Sequence, residues 1–281
     1  MEEYYFLFLI AGIWTIAAIM QDLKKREVAN WLNFSFIAVG LSYRAFYSSV
    51  FANKEFFIYG VLGFLFMFIM AYALYYGRAF AGGDAKLLMG FGIILPYKSY
   101  LDILVLGIGA ILVLFLSGLI WSLLYSVYLV ERNKEKFKKE FEKNWNKYRA
   151  WFFISIFVLL FLSMLIGIRN GWVFGGFIVL FSLIWIYVKS LDGILLKEKN
   201  VKELREGDWI EEGITVKGKK IEKSVHGLSL EEIEYLRKNA KRRKILIKEG
   251  IPFTPAFLGA LIVMVFFLEA LLSYLSLVKT F

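Results

Sequence analysis

Two aspartates stand where apolar runs of the sequence meet short charged stretches. Asp22 follows a long apolar run, and Asp84 lies between two such runs in FAGGDAKLLMGFG, residues 80–92. A lysine comes two positions after each aspartate, Lys24 in the first case and Lys86 in the second. Because a carboxylate that faces lipid is costly, an ionisable group in such a segment is a functional candidate by default. The two aspartates are therefore the first candidates for chemistry.

Two neighbouring carboxylates can activate water without a cofactor. Because two like charges at short range cannot both ionise comfortably, one carboxyl group keeps a proton. The ionised group can draw a proton from a bound water, and the protonated group can polarise a substrate carbonyl, as in aspartic proteases. The pair titrates as a unit, so neither role is assigned to one residue. If the first and fourth helices pack together, Asp22 and Asp84 are candidates for such a pair, which needs no metal or cofactor.

The composition narrows the chemistry that is possible. The chain contains no cysteine and a single histidine, His226. Disulfides and cysteine-ligated zinc or iron–sulfur sites are therefore excluded, and one histidine is a poor start for a transition-metal site. We expect His226 to be a turn residue. Catalysis is left to carboxylates, hydroxyls or lysines.

The apolar runs predict a polytopic membrane protein. Of the 281 residues, 59% are hydrophobic, whereas a soluble domain is about 45–50% apolar. Eight segments approach the ~20 apolar residues that a transmembrane helix needs, and the fourth is short. They are approximately 4–20, 31–51, 56–77, 84–96, 101–130, 150–168, 172–190 and 254–277. The expected fold is an all-α polytopic membrane protein with about eight membrane segments and a small α+β cytoplasmic insert.

The net charge of +10 is concentrated between the apolar runs. Clusters of lysine and arginine follow the first, third, fifth and seventh segments, and the densest is Glu131–Arg149. Because basic loops face the cytoplasm, the four basic connections are predicted to lie on the cytoplasmic side of the cell membrane. Both termini are predicted to lie on the outer side. Both aspartates then belong to the cytoplasmic face. Anionic lipid headgroups are the expected partners of the basic loops, and no binding of nucleic acid is expected.

The sequence suggests five regions. They are a catalytic membrane domain with both aspartates (1–130), a basic cytoplasmic connection (131–149), a helical membrane hairpin (150–190), a small cytoplasmic domain (191–253) and a C-terminal membrane helix (254–281). The basic connection is interpreted as a solvated extension of the fifth helix. Within the cytoplasmic domain, the turn residues Lys217 and Gly218 predict a β-hairpin. Ser229 and Glu232 predict a capping box at the start of a helix.

The residues around the two aspartates resemble the GxGD family of membrane aspartyl proteases. The similarity is to the type IV prepilin peptidases and, within them, to the archaeal preflagellin peptidases. It lies in Asp22–Asn30 (DLKKREVAN), Gly83–Leu87 (GDAKL) and Lys248–Leu261 (KEGIPFTPAFLGAL), while the middle of the chain contributes mostly topology. Ala81 stands where the first glycine of the motif is expected. The lack of cysteine implies a peptidase without the CxxC domain and methyltransferase activity of many bacterial members.

The resemblance implies a substrate and a place of cleavage. The substrates would be preflagellins or other type IV pilin-like precursors, which carry a short basic leader before an apolar helix. The cut would fall at the cytoplasmic membrane boundary, just before the apolar segment. Asp22 and Asp84 are the positions that match the two aspartates of the family.

Five further residues are supporting candidates. Gly82 and Gly83 are expected to let the chain adopt φ values that other residues avoid, and to let another backbone approach closely. Lys24 and Lys86 could assist by their charge, although snorkelling lysines are ordinary at a membrane interface. Glu27 could receive the positive charge of a substrate leader.

Other functions fit the same residues. Taken alone, Asp22 fits an ion pair with Lys25 or Arg26, and Asp84 fits a helix N-cap. Together they could bind protons or cations in a coupled membrane transporter, although transporter sites favour the bilayer midplane. A third alternative is an inactive scaffold for pilus assembly, in which substitution of either aspartate leaves precursor processing intact.

Overall fold

The computed structural model describes the backbone of residues 2–77, 79–224, 227–240 and 243–278, and side chains from residue 3 to residue 266 within those ranges. His226 lies outside the described residues. The helices in this part of the chain are α1 (Glu2–Lys25), α2 (Asn30–Val50), α3 (Lys54–Tyr76), α4 (Gly82–Ile94), α5 (Tyr100–Arg132), α6 (Lys134–Ile166), α7 (Ile168–Leu195), α8 (Leu230–Asn239) and α9 (Thr254–Val278). The strands are β1 (Leu196–Asn200), β2 (Trp209–Ile210), β3 (Ile214–Val216), β4 (Lys219–Ile221) and β5 (Lys244–Lys248).

Five helices are long and apolar enough to cross a membrane, namely α1, α3, α5, α6 and α7. The other three predicted membrane segments form α2, α4 and α9, which do not meet that standard over the described residues. With 13 residues, α4 spans only about 20 Å at the usual helical rise of ~1.5 Å per residue. The predicted fold class is confirmed: this is a polytopic α-helical membrane protein with a small insert of helix and strand.

The chain divides into two compact units by its internal contacts. The first comprises Met1–Leu124 and Pro252–Phe281, and the second comprises Tyr125–Ile251. In the first unit α9 packs against α1 although the two are far apart in sequence. This packing brings the C-terminal segment to the helix that carries the first aspartate.

Most of the basic run Glu131–Arg149 belongs to α6, and only its first two residues continue α5. The chain turns at Asn133, whose side chain amide donates a 2.8 Å hydrogen bond to the carbonyl of Leu129, and the run then forms the first half of α6. Three aromatic rings along this half follow one another at 5.8 and 6.3 Å: Phe137, Phe141 and Trp145. Phe137 also lies 5.7 Å from the ring of Tyr187 in α7. No residue of the run is buried, so only its assignment to the fifth helix is wrong.

The insert forms a small domain with its own core. A three-stranded antiparallel sheet has the order β1-β5-β2, and β3 pairs with β4 as a separate hairpin. Lys217 and Gly218 both have positive φ, 47° and 84°, as a type I′ hairpin turn requires. The predicted capping box is also present, with both reciprocal hydrogen bonds between Ser229 and Glu232. The hairpin and the capping box are therefore confirmed.

In the first unit, glycines let α2 and α3 approach α4 closely. Gly63 of α3 and Gly92 of α4 meet backbone to backbone, and neither position has room for a Cβ. Gly90 of α4 receives the ring of Phe36 from α2 in the same way. These contacts hold the short helix in a fixed place, with its first residues beside the end of α1.

Arg44 of α2 caps the C-terminal end of α4 by hydrogen bonds to backbone carbonyls. Its side chain is 0% exposed, and its three nitrogens donate to the carbonyls of Ile93, Phe56 and Leu95 at 2.6, 2.7 and 2.7 Å. The last carbonyls of a helix have no intrahelical partner, and Arg44 supplies that partner at Ile93. The absence of a side chain at Gly60 leaves room for the guanidinium. A helix of 13 residues can therefore end in a buried place.

Candidate active site

Asp22 lies in the last turn of α1 and is 9% exposed. Its Oδ2 accepts a hydrogen bond from Oγ1 of Thr254 at 2.9 Å and a longer one from the backbone N–H of Thr254 at 3.4 Å. Thr254 is fully buried and is the first residue of α9. The first N–H groups of a helix lack intrahelical partners. The carboxylate of Asp22 is thus held at the N-terminus of α9.

Asp84 is the third residue of α4 and is also 9% exposed. The backbone N–H of Ala81, the N-cap of the helix, lies near its carboxylate and favours the charged form. Asp84 is therefore inside the first turn of α4 and is not itself the N-cap.

The structure brings the two aspartates together. α1 contacts α4, and the carboxylates of Asp22 and Asp84 lie close enough to repel each other. Because both groups are buried, their charges are poorly screened by water. Such a pair is most stable when it holds one proton between its two members. The two carboxyl groups therefore lie near each other, between the end of α1 and the start of α4.

The charged side chains proposed to support the pair, Lys24, Lys86 and Glu27, do not contact the two aspartates. Lys86 donates a 2.6 Å hydrogen bond from Nζ to Oδ1 of Asn30, at the start of α2. Lys24 and Glu27 are exposed at the end of α1 and in the following turn. Within the described part of the chain, none of these three forms an ion pair with Asp22 or Asp84. Any effect of the lysines on the pair is therefore exerted over a distance.

The two glycines before Asp84 are helical. Gly82 and Gly83 are the first two residues of α4, and neither has a positive φ. The prediction of unusual backbone angles is therefore wrong, because the helix begins at these glycines rather than after them. Close approach remains a feature of Gly83 alone, where a Cβ would lie 3.3 Å from Cβ of Val28.

The alanine that replaces the first motif glycine is not strained. Ala81 is exposed and has φ −73° and ψ 161°. This extended conformation is open to every residue. The departure from the GxGD pattern therefore needs no adjustment of the backbone.

Two residues of the site were missed in the sequence. Thr254 precedes a proline at the start of an apolar run, which is a helix-start signal, but nothing local indicates its partner. Asn33 is a fully buried amide of α2 whose Nδ2 donates to the carbonyl of Gly83 at 3.3 Å. Its Oδ1 has no hydrogen-bond partner in the described part of the chain. Asn33 thus ties α2 to the first turn of α4.

We expect the two glycines to respond differently to alanine. Gly83→Ala should lower the thermal unfolding midpoint because its Cβ must displace Val28. Gly82→Ala should leave the midpoint unchanged or raise it, since its Cβ would meet Tyr75 at an ordinary 3.7 Å and alanine favours the helix by roughly 0.5–1 kcal/mol. Tryptophan fluorescence of the purified protein in detergent measures both midpoints. Equal shifts for the two variants would contradict the close approach at Gly83.

The described geometry agrees with a comparison of the chain with known families. Residues 9–128 match the model of the Type IV leader peptidase family. The matched segment includes both aspartates. The similarity to this family covers less than half of the chain. The predicted resemblance to type IV prepilin peptidases is thereby confirmed.

Three curated preflagellin peptidases are similar to part of this chain. The protein from Methanocaldococcus jannaschii is 29% identical over 89 residues, which is 32% of this chain and 38% of the relative. The protein from Methanococcus voltae is 29% identical over 85 residues, which is 30% of this chain and 36% of the relative. The protein from Methanococcus maripaludis is 26% identical over 89 residues, which is 32% of this chain and 38% of the relative. The chain thus aligns with less than two fifths of each relative's length. No solved structure matches the chain.

Proposed function

We propose that this protein is a membrane aspartyl endopeptidase that removes the short basic leader of a preflagellin or another type IV pilin-like precursor. One observation carries the proposal: two buried carboxylates, Asp22 and Asp84, meet inside the segment that matches the type IV leader peptidase family. The names of the three similar archaeal proteins support preflagellin as the substrate class. No cofactor is part of the proposal.

The reaction is hydrolysis of one peptide bond. The ionised carboxylate of the pair takes a proton from a water as the water oxygen attacks the carbonyl carbon of the substrate. The other carboxyl group gives its proton to the carbonyl oxygen. The carboxyl group that took the water proton then gives it to the leaving nitrogen, and a hydroxyl of the tetrahedral intermediate returns a proton to the other carboxylate. The C–N bond breaks, and the products are a carboxylic acid and an amine. The pair returns to its starting protonation with no other reagent.

The position of the pair supports cleavage at the cytoplasmic membrane boundary. Asp22 is in the last turn of α1 and Asp84 in the first turn of α4, so neither is in the middle of a helix. Lysines follow each aspartate, and basic ends of membrane helices face the cytoplasm. Both termini then lie outside, and the lipid bilayer is the second partner. A transporter site would be expected nearer the bilayer midplane.

The supporting residues have smaller proposed roles. Gly83 allows a backbone to come close to the carboxylates, as an extended substrate must. Lys24 and Lys86 contribute positive potential near the pair. Glu27 is exposed in the turn after α1, where it can receive a basic residue of the leader.

Cleavage by the purified protein in lipid vesicles tests the proposal. The substrate is a preflagellin with its leader, and the product is located by sequencing its new N-terminus. We expect a single cut just before the apolar segment, and slower cleavage when the basic residues of the leader are replaced by glutamine. Failure to cut any of a panel of pilin-like precursors would contradict the proposal. Proton flux into such vesicles, if either aspartate were needed for it, would favour the transporter instead.

A further inference from the structure

We infer that Thr254 is a positioning residue that holds Oδ2 of Asp22 and keeps this carboxylate ionised, so that Asp22 is the base and Asp84 the acid of the pair. The inference rests on the proposed function and deepens it. The sequence alone assigns neither role. The assignment comes from the unequal hydrogen bonding of the two carboxylates.

The hydroxyl of Thr254 is held in place by its surroundings. The residue is fully buried at the start of α9. The chain just before it is fixed by a 2.7 Å hydrogen bond from Nε1 of Trp121 to the carbonyl of Pro252. Two ring contacts tie α9 to α4 and to the segment before it, Phe253 with Phe80 at 5.3 Å and Phe257 with Phe91 at 5.2 Å. The donors of Thr254 therefore meet Asp22 in a fixed direction.

Two donors on one carboxylate oxygen select the charged form. Oδ2 of Asp22 accepts from both the hydroxyl and the backbone N–H of Thr254, and donors of this kind favour the ionised carboxylate. The N-terminus of α9 adds its positive dipole end. Asp84 is equally buried, has no comparable side-chain donor within the described part of the chain, and faces the charge of Asp22. The proton of the pair therefore resides on Asp84.

The same contacts give the two carboxylate oxygens of Asp22 different roles. Oδ2 is occupied by Thr254, which leaves Oδ1 to take a proton from the attacking water. Thr254 itself touches neither water nor substrate in this scheme. It acts through Asp22, and its loss should slow the chemical step without weakening the binding of substrate.

Two substitutions at Thr254 and one control elsewhere test the inference. Thr254→Val keeps the shape and removes the hydroxyl, while Thr254→Ser keeps the hydroxyl. The matched control is Thr15→Val, because Thr15 is also fully buried on α1, two turns before Asp22, and its Oγ1 has no hydrogen-bond partner in the described part of the chain. Cleavage rates in vesicles and thermal midpoints are measured for all three variants and the unsubstituted protein.

We expect Thr254→Val to lower kcat about 10- to 100-fold, the effect of one hydrogen bond to a charged group. KM should stay within about twofold. Thr254→Ser should restore most of kcat, and Thr15→Val should leave it unchanged. A Thr254→Val protein with normal kcat would overturn the inference. So would an equal loss in the valine and serine variants with lowered midpoints, which is the result of a purely structural role.

A second measurement needs no precursor. An ionised carboxylate opens an epoxide: the carboxylate oxygen bonds to one ring carbon, the ring C–O bond breaks, and the alkoxide takes a proton from water to give a hydroxyalkyl ester. With 1,2-epoxy-3-(4-nitrophenoxy)propane, mass spectrometry should find the ester on Asp22 and not on Asp84, and labelling should slow at least about 10-fold in Thr254→Val. A label on Asp84, or none on Asp22, would overturn the inference. Labelling as expected with no precursor cleaved would refute the proposed function alone.

Discussion

Asp22→Asn and Asp84→Asn are each expected to lower the rate of precursor cleavage by about 10²–10⁴-fold, the usual contribution of a positioned acid or base. Asparagine has the size of aspartate but can neither take a proton from water nor give one to a carbonyl. At position 22 its amide oxygen can still accept from Thr254, so the packing of α1 on α9 should persist. The loss should therefore appear in kcat with little change in the thermal midpoint.

Asp102→Asn is the matched control for these variants. Asp102 is 7% exposed and its Oδ2 accepts a 3.0 Å hydrogen bond from the backbone N–H of Lys98, before α5. The same chemical change is made at a buried aspartate, but away from the pair. Initial rates in vesicles at equal protein amounts should stay within about twofold of the unsubstituted protein. A variant at position 22 or 84 that cleaves as fast as the Asp102 control would remove that aspartate from the mechanism.

The double variant adds a further check on the pair as one unit. Because residues that act together in one step lose activity non-additively, the protein with both asparagines should be no slower than the slower single variant. Multiplying losses would indicate two independent contributions instead.

The largest loss of stability is expected from Arg44→Leu. The substitution leaves the carbonyls of Ile93, Phe56 and Leu95 without their donor in a buried place. Each unsatisfied buried acceptor costs about 1–3 kcal/mol, so the free energy of unfolding should fall by at least about 3 kcal/mol. The thermal midpoint in detergent should drop sharply, and cleavage should disappear with it because α4 carries Asp84.

Two further variants separate charge from hydrogen bonding at this position. Arg44→Lys keeps the positive charge but cannot reach three carbonyls in one plane, and an intermediate midpoint is expected. Arg149→Leu removes an arginine that is exposed on α6, and little change is expected. An Arg44→Leu protein as stable as the Arg149→Leu protein would show that Arg44 does not hold the end of α4.

Much of the fold could be predicted because its signals are local. The length of each apolar run determines which helices are long, and the 13 residues of α4 were visible as a segment too short to span. The turn at Lys217 and Gly218 and the cap at Ser229 also depend on neighbouring residues only. Each of these features would form for the same reason in many chains.

The errors arose where packing overrides the local pattern. Gly82 and Gly83 have the composition of a turn, yet they begin a helix whose first turn packs against Val28. The sequence pattern assigns the run Glu131–Arg149 to the fifth helix, but the chain turns at Asn133 and most of the run starts α6. The contact between Asp22 and Thr254 joins residues 232 positions apart. No spacing in the sequence predicts that contact, because it depends on which helices become neighbours.

The buried arginine also bears on the order in which the chain can mature. Arg44 precedes all three of its acceptors, Phe56, Ile93 and Leu95, in the direction of synthesis. An arginine at the centre of a membrane helix disfavours its insertion by about 2.5–3.5 kcal/mol, and α2 is not among the helices apolar enough to span by themselves. The ribosome must therefore have passed Leu95 before α2 finds its native partners. Asp22 and Asp84 can reach their native packing only after that point, so the growing chain has no assembled carboxylate pair until the end of α4 has been synthesised.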